Sequence, residues 1–478
     1  MKRKLIACII VSLLTSIFSL LAQTQVKNVI LMIPDGTSFS LLSIARWYNF
    51  YQNPEKERLT IDDYLCGFVK THCSNSPIGD SAPTTSCYMT GIPSQAKYVS
   101  TYPPVTKHDL VKLDSTMVYQ PLVTLLEATK YLHQKSTGLV FTCEFPHATP
   151  ADCAAHTFDR NEYKTIAKQM VYNNVDVVIG GGVNRLQPQE KAYLLQQGYE
   201  VLTNDLKAFR ENNATKLWAL FEDTNMSYAI NRELLTTPSL AEMTRKAINV
   251  LSQNENGFFL MVEGSLIDFA AHNNNIDTLI TEFLDFDAAV AEAISFANRN
   301  GETVVVIVPD HATGGVSLGN SNSNENYAKL TLDTIMRNLR TFIGFTSRGH
   351  TGDDVFLAVY HPANDIPIGF HTNTEIHHYL CRQMQLEEKL PVLTAELFTP
   401  HYEVFKGINK LKMEIDSISP EKVILHIKFE KNRLEIESNT NYYTFNGVRY
   451  FLSSVVVYQS ENKTFYLPRT LGTLFSKI

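Results

Sequence analysis

Apolar runs recur along the chain, and polar punctuation closes each of them. "VKNVILMIPDG" (residues 26–36) is continuously apolar up to a Pro-Asp-Gly turn. Such a run predicts a strand buried on both faces, as in a parallel sheet, with Asp35 just past its C-terminal end. "STGLVFTCEF" (136–145), "NVDVVIGGG" (174–182), "GFFLMVEGS" (257–265), "ETVVVIVPDH" (302–311) and "DDVFLAVYHP" (353–362) repeat the pattern. Helical periodicity fills the gaps. "SLAEMTRKAINVLSQ" opens with Ser239 and has Glu242 three residues on, a capping-box signature. The stretch 278–301 is helical in period and stops at Gly301.

Strand–helix alternation predicts an α/β fold, with a mostly parallel central sheet flanked by helices on both faces. From about residue 390 the pattern changes. Residues 422–459 alternate apolar and polar positions in short strands, with an Asn446-Gly447 turn and no convincing helix. We therefore predict a catalytic domain over 23–389 and a small β-rich accessory domain over 390–478. Residues 319–326, "GNSNSNEN", read as a polar loop.

The start of the chain changes the picture of where it works. Lys2, Arg3 and Lys4 precede the apolar run "LIACIIVSLLTSIFSLL", and Ala22 offers a cleavage point, so residues 1–22 read as a signal peptide. The expected location is the periplasm or the medium. Removing the leader leaves 39 cations against 49 anions, a formal charge of −10 compared with −7 for the full 478 residues. That balance argues against nucleic acid as a dedicated partner. Six of the seven cysteines lie beyond the leader. Export permits disulfides, and Cys66 and Cys73 are close enough to pair, but most of these residues sit in apolar runs that suit buried free thiols.

Candidate chemistry gathers at the strand ends, where α/β folds bind ligands. Asp35, Glu263, Asp310 and His311 all fall there. Asp268 and His272 are four apart, and would share one face of a helix after Gly264. His350 lies between glycines in "FTSRGHTGDD". Singly, each has a bland reading: an i,i+4 pair on a solvated helix, a turn aspartate, an idle loop histidine. Together, three imidazoles and several carboxylates suit two catalytic zinc ions. Ser81, in "SPIGDSAPTTSCYMTG", then has an activator for an otherwise weak hydroxyl nucleophile.

The segments "DSAPTTS", "EGSLIDFAAH", "PDHATGG" and "RGHTGDDV" resemble, in order and spacing, the signatures of the alkaline phosphatase family. The resemblance spans roughly residues 26–380. It implies that Ser81 is the nucleophile that becomes a phosphoserine. It implies one zinc on Asp268, His272 and His350, and another on Asp35, Asp310 and His311. A magnesium ion is implied on Asp35, Thr149 and Glu263, an all-oxygen set of the kind that ion prefers. Arg160, eleven residues after Thr149, matches the family's phosphate-binding arginine, and its planar fork can grip two oxygens. Asp80 precedes the nucleophile. His147 and Phe269 occupy two positions beside the metals where some members carry an acidic residue and a lysine. Residues 216–233 resemble a segment at the active-site rim, and the family is mostly homodimeric.

The implied activity is hydrolysis of phosphate monoesters. A sulfatase is disfavoured because Thr85 stands where its Ser/Cys-x-Pro-x-Arg signature needs arginine. Ser81 and Arg160 favour monoesters over diesters. A secreted binding protein with a dead site is disfavoured because no ligand is missing.

Overall fold

The computed structural model describes residues 26–320 and 330–475. The predicted leader and most of the polar loop at 319–326 lie outside the described residues. Ten strands form the central sheet: β1 Asn28–Ile33, β2 Leu65–Lys70, β3 Ser136–Glu144, β4 Val177–Gly181, β5 Glu200–Thr203, β6 Leu217–Leu220, β7 Phe258–Glu263, β8 Thr303–Ile307, β9 Val355–Tyr360 and β10 Gly369–Thr372. Their order across the sheet is β10-β2-β9-β8-β1-β7-β3-β4-β6-β5. β1 lies between β7 and β8, and all its residues are buried. Each fully buried Ile, Leu or Met there contributes about 1.5–3 kcal/mol against exposure.

All six predicted strands are present. β9 departs from the expected direction: it runs antiparallel to both β8 and β2. An apolar run reports burial on two faces, and an antiparallel strand in mid-sheet is buried equally well. The predicted helices are Leu240–Leu251 and Ile276–Asn300. Ser239 caps the first by accepting from Glu242 N, while the Glu242 carboxylate binds Arg210 instead of closing the box. Gly301, at φ 72°, ends the second.

The C-terminal region is β-rich, as predicted. Strands β11 Lys412–Ser419, β12 Lys422–Phe429, β13 Asn432–Glu437, β14 Tyr442–Phe445 and β15 Val448–Phe451 pair consecutively as an antiparallel meander. The Asn446-Gly447 turn has φ values of 51° and 84°, the left-handed pair a tight hairpin needs. Helix Lys389–Leu397 precedes the meander and is not among the expected elements; Pro391, tolerated in its first turn, reads in the sequence as a break. Lys168 and Glu437 join the meander to the catalytic core through a 2.6 Å ion pair. The described cysteines are free thiols, all buried except half-buried Cys66.

Candidate metal centre and nucleophile

The carboxyl ends of β1, β7 and β8 meet at one point, and the segments that follow them turn acidic and histidine side chains inward. Asp35 follows β1, Glu263 ends β7, and Asp310 and His311 follow β8; all four are fully buried. Gly36 has φ 69°, and a Cβ there would stand 2.6 Å from Asp268 Oδ1, so close approach requires glycine. Asp268 and His272 come from the short helix Leu266–His272. His350 arrives through a two-residue ladder in which it pairs with Thr313, stacking its ring 3.9 Å from that of His311.

Hydrogen bonds from the far side of each ring settle which nitrogen faces inward. His350 Nδ1 donates to Gly79 O at 2.9 Å, and His272 Nδ1 donates to Arg348 O. Carbonyls only accept, so Nδ1 carries a proton in both rings and Nε2 is the nitrogen turned towards the site; the two Nε2 atoms stand 3.2 Å apart. Thr313 Oγ1 donates to Asp268 Oδ1 at 2.6 Å and lies 3.2 Å from His311 Nδ1. That hydroxyl then accepts from His311, whose Nε2 faces Asp35 Oδ1 and Asp310 Oδ2, each at 3.4 Å.

Those spacings test whether ions fit. Nitrogen and oxygen donors about 2.0–2.1 Å from a tetrahedral zinc stand roughly 3.3–3.4 Å apart. Asp268 Oδ2 to His272 Nε2 is 3.3 Å, in the same range. Asp35 Oδ1 and Asp310 Oδ2 are buried without any hydrogen bond, an expensive state unless a cation satisfies them. Ligand atoms of Asp35, Asp310 and His311 lie within 4.8 Å of one another, and so do those of Asp268, His311 and His350. Two adjoining clusters result that share His311, whereas the expected second set is Asp268, His272 and His350; His272 reaches that set through Asp268 Oδ2 and His350 Nε2, and the donor chemistry fits zinc. Thr149 Oγ1 is buried, faces Glu263 and makes no well-shaped hydrogen bond; Glu263 Oε1 likewise lacks one.

Ser81 opens the helix Ser81–Thr90, whose ten residues are all buried. Pro83 is tolerated because it falls in the first turn. Ser81 Oγ lies 3.2 Å from His311 Nε2 and 3.4 Å from Asp35 Oδ2. Asp80 Oδ1 accepts from Ser81 N at 3.0 Å and from Arg160 Nη1 at 2.7 Å. One carboxylate oxygen therefore fixes the guanidinium relative to the serine. Arg160 Nη2 also meets His147 Nε2 at 3.2 Å, and Phe269 packs edge-on to the His147 ring.

A strand-end centre of this composition has known counterparts. The sequence profile of the family described as "Alkaline phosphatase" matches residues 26–336. The chain belongs to the alkaline phosphatase family. Alkaline phosphatase 3 of Bacillus subtilis (strain 168) is 29% identical over 437 residues, covering 77% of this chain and 91% of that protein. Alkaline phosphatase 4 of the same strain is 35% identical over 318 residues, covering 64% of this chain and 65% of its own length. Among solved structures, alkaline phosphatase from the Antarctic bacterium TAB5 aligns with a TM-score of 0.63 at 27% identity, over 76% of this chain and all of the other. Two variants of the TAB5 enzyme, with a histidine replaced by Asp or Glu, hold Mg in a site termed M3. Family membership makes the chain an enzyme that hydrolyses phosphate monoesters.

The charges of this alkaline phosphatase site are poised for cations. Burial, then the charges of Asp310, Asp268 and Glu263, push the Asp35 carboxyl well above its usual range. Burial pushes Glu263 up to about 8. Burial would also raise Asp268, yet the His272 hydrogen bond and neighbouring imidazoles hold it well below the usual range. The same hydrogen bond pushes His272 up to about 9, so an ion there must displace a proton. Burial and the Arg160 charge bring His147 down to about 3, leaving it neutral.

Every predicted site residue lies in this one region. Two residues escaped the sequence reading. Thr313 ties Asp268 to His311, and Cys143 Sγ lies 3.5 Å from Glu263 Oε2. "PDHATGG" held Thr313 in plain view, but nothing in its spacing marks a hydroxyl that bridges two clusters. Tyr228, in the predicted rim segment, reaches Asn273 beside His272.

Proposed function

We propose that Ser81 is the nucleophile and that hydrolysis passes through a covalent phosphoserine. The placement of Ser81 Oγ supports this: it touches both His311 and Asp35 at the head of a buried helix. In this reading Asp268, His272 and His350 hold one zinc, and Asp35, Asp310 and His311 hold another. Asp35, Thr149 and Glu263 hold magnesium, the ion that oxygen donors favour. Bound, such ions supply Lewis acidity to the phosphoryl oxygens and make hydroxyls acidic near neutral pH.

The chain's own groups do the rest. Arg160 grips the non-bridging oxygens with a two-pronged fork. Asp80 keeps that fork aimed at Ser81, and the helix N-terminus favours the phosphoryl charge. Ser81 Oγ gives up its proton to solvent and forms a bond to phosphorus as the bond to the leaving oxygen breaks, and that oxygen takes up a proton from solvent and departs as the alcohol. Water then cleaves the phosphoserine, regenerating Ser81 and releasing inorganic phosphate. Two in-line displacements give net retention at phosphorus.

The test is acid quenching during turnover of a phosphate monoester, followed by peptide mass spectrometry. Phosphate on Ser81, absent in Ser81→Ala together with a loss of kcat on the order of 10³-fold or more, is expected. Single-step inversion at phosphorus with no labelled serine overturns the reading. Rates on the matching diester test Arg160: a diester preference would mean that it does not clamp a terminal phosphoryl group.

A further inference from the structure

The third-ion position has donors that magnesium does not need. Glu263 ends β7, and its register partner on β3 is Phe141, so Cys143 lies two residues further along the neighbouring strand. Ser265 Oγ accepts from Cys143 N at 3.1 Å and holds that strand end beside the carboxylate. Cys143 Sγ stands 3.5 Å from Glu263 Oε2. Ligand atoms of Cys143, His147 and Glu263 all lie within 4.8 Å of one another, and all three residues are buried.

A buried thiol donating to a carboxylate would explain the Cys143 contact alone. It leaves Glu263 Oε1 unexplained, a buried acceptor beside it with no hydrogen-bond partner; His147 Nδ1 has none either, and carries the ring proton while Nε2 accepts from Arg160. Burying unpaired polar atoms costs free energy that a cation would recover. The spacing also suits an ion. Zinc at about 2.3 Å from sulfur and 2.0 Å from oxygen, in tetrahedral geometry, sets those donors roughly 3.5 Å apart. Thiolate, imidazole and carboxylate form a soft, mixed set that selects zinc over magnesium, which seeks near-octahedral oxygen.

We propose that Cys143, His147 and Glu263 form a thiolate-containing zinc site that shares Glu263 with the magnesium position, so that the two ions exclude each other there. The inference rests on the metal-centre reading above. Binding forms a zinc–sulfur bond and breaks the S–H bond, whose proton passes to solvent; His147 gives up its bond from Arg160, because the neutral ring has one lone pair to offer. Magnesium occupancy then leaves Cys143 protonated and idle, while excess zinc recruits it.

Cobalt(II) loaded into the metal-free enzyme separates the two readings. Imidazole–carboxylate cobalt gives visible ligand-field bands, and only thiolate adds sulfur-to-cobalt charge transfer in the near ultraviolet. Both signals are expected in the wild type, and only the visible bands in Cys143→Ser. Zinc content under excess zinc is expected to fall from about three ions per chain to about two in the same variant. Zinc-edge X-ray absorption on the wild type needs no variant and is expected to show one sulfur donor. A near-ultraviolet band that is absent from the wild type, or that survives in Cys143→Ser, overturns the proposal while leaving the metal centre intact. Loss of the visible bands as well overturns the centre itself.

Discussion

The central sheet and the C-terminal meander are both built from strands, yet they bury them differently. β1, β7 and β8 are buried along their whole length on both faces. β12 buries Val423, Leu425 and Ile427 and turns the alternate residues outward, and β13 does the same with Leu434 and Ile436. A strand enclosed on both sides can hold its end rigidly, and there the carboxylates and imidazoles converge. A strand with one wet face has no such enclosed end. The meander accordingly carries a small core of its own and none of the proposed metal ligands.

That contrast can be broken most severely from the meander side. Leu425→Ala empties a fully buried position between Ile415 and Ile436 and is expected to cost about 2–5 kcal/mol of stability. The kcat of the folded fraction should not change. A fall in kcat at full folding would show that the meander shapes the site. On the sheet side, Thr313→Val removes the hydroxyl that joins Asp268 to His311 while keeping its shape. Zinc affinity is expected to fall about 10–100-fold, with the thermal midpoint of the metal-free protein little altered. Equal affinity by competition with a chelator would mean that the bridge orients nothing. The smallest effect is expected at Phe269, which packs on His147 near the Arg160 clamp. Phe269→Lys adds a cation beside the proposed Arg160 clamp and should strengthen inhibition by inorganic phosphate a few-fold, by about 1 kcal/mol. An unchanged inhibition constant would mean that the side chain at 269 does not bear on phosphate binding.

Legibility in the sequence followed the same divide. Long runs closed by Asp, Glu or His marked β1, β7 and β8 and the residues at their ends. β2, β5 and β10 are short or half-exposed, and no continuous run announced them. The direction of β9 was hidden because burial does not encode polarity. The roles of Asp35, Ser81 and Arg160 came from family-like motifs. Thr313 and Cys143 act through contacts with Asp268 and Glu263, 45 and 120 residues away, and no local pattern records such a meeting.

The position of β1 has a consequence in time. It is the first strand of the central sheet to be made, yet its neighbours on either side lie about 230 and 275 residues further along the chain. Pairing at such separations delays folding, because the long loops must close before any contact repays them. Asp310 and His311, which gather with Asp35, are made only after β8, and His350 comes later still. A nascent chain that stops short of them has an incomplete set of the proposed ligands. The candidate site is complete only once β1 has paired with both β7 and β8.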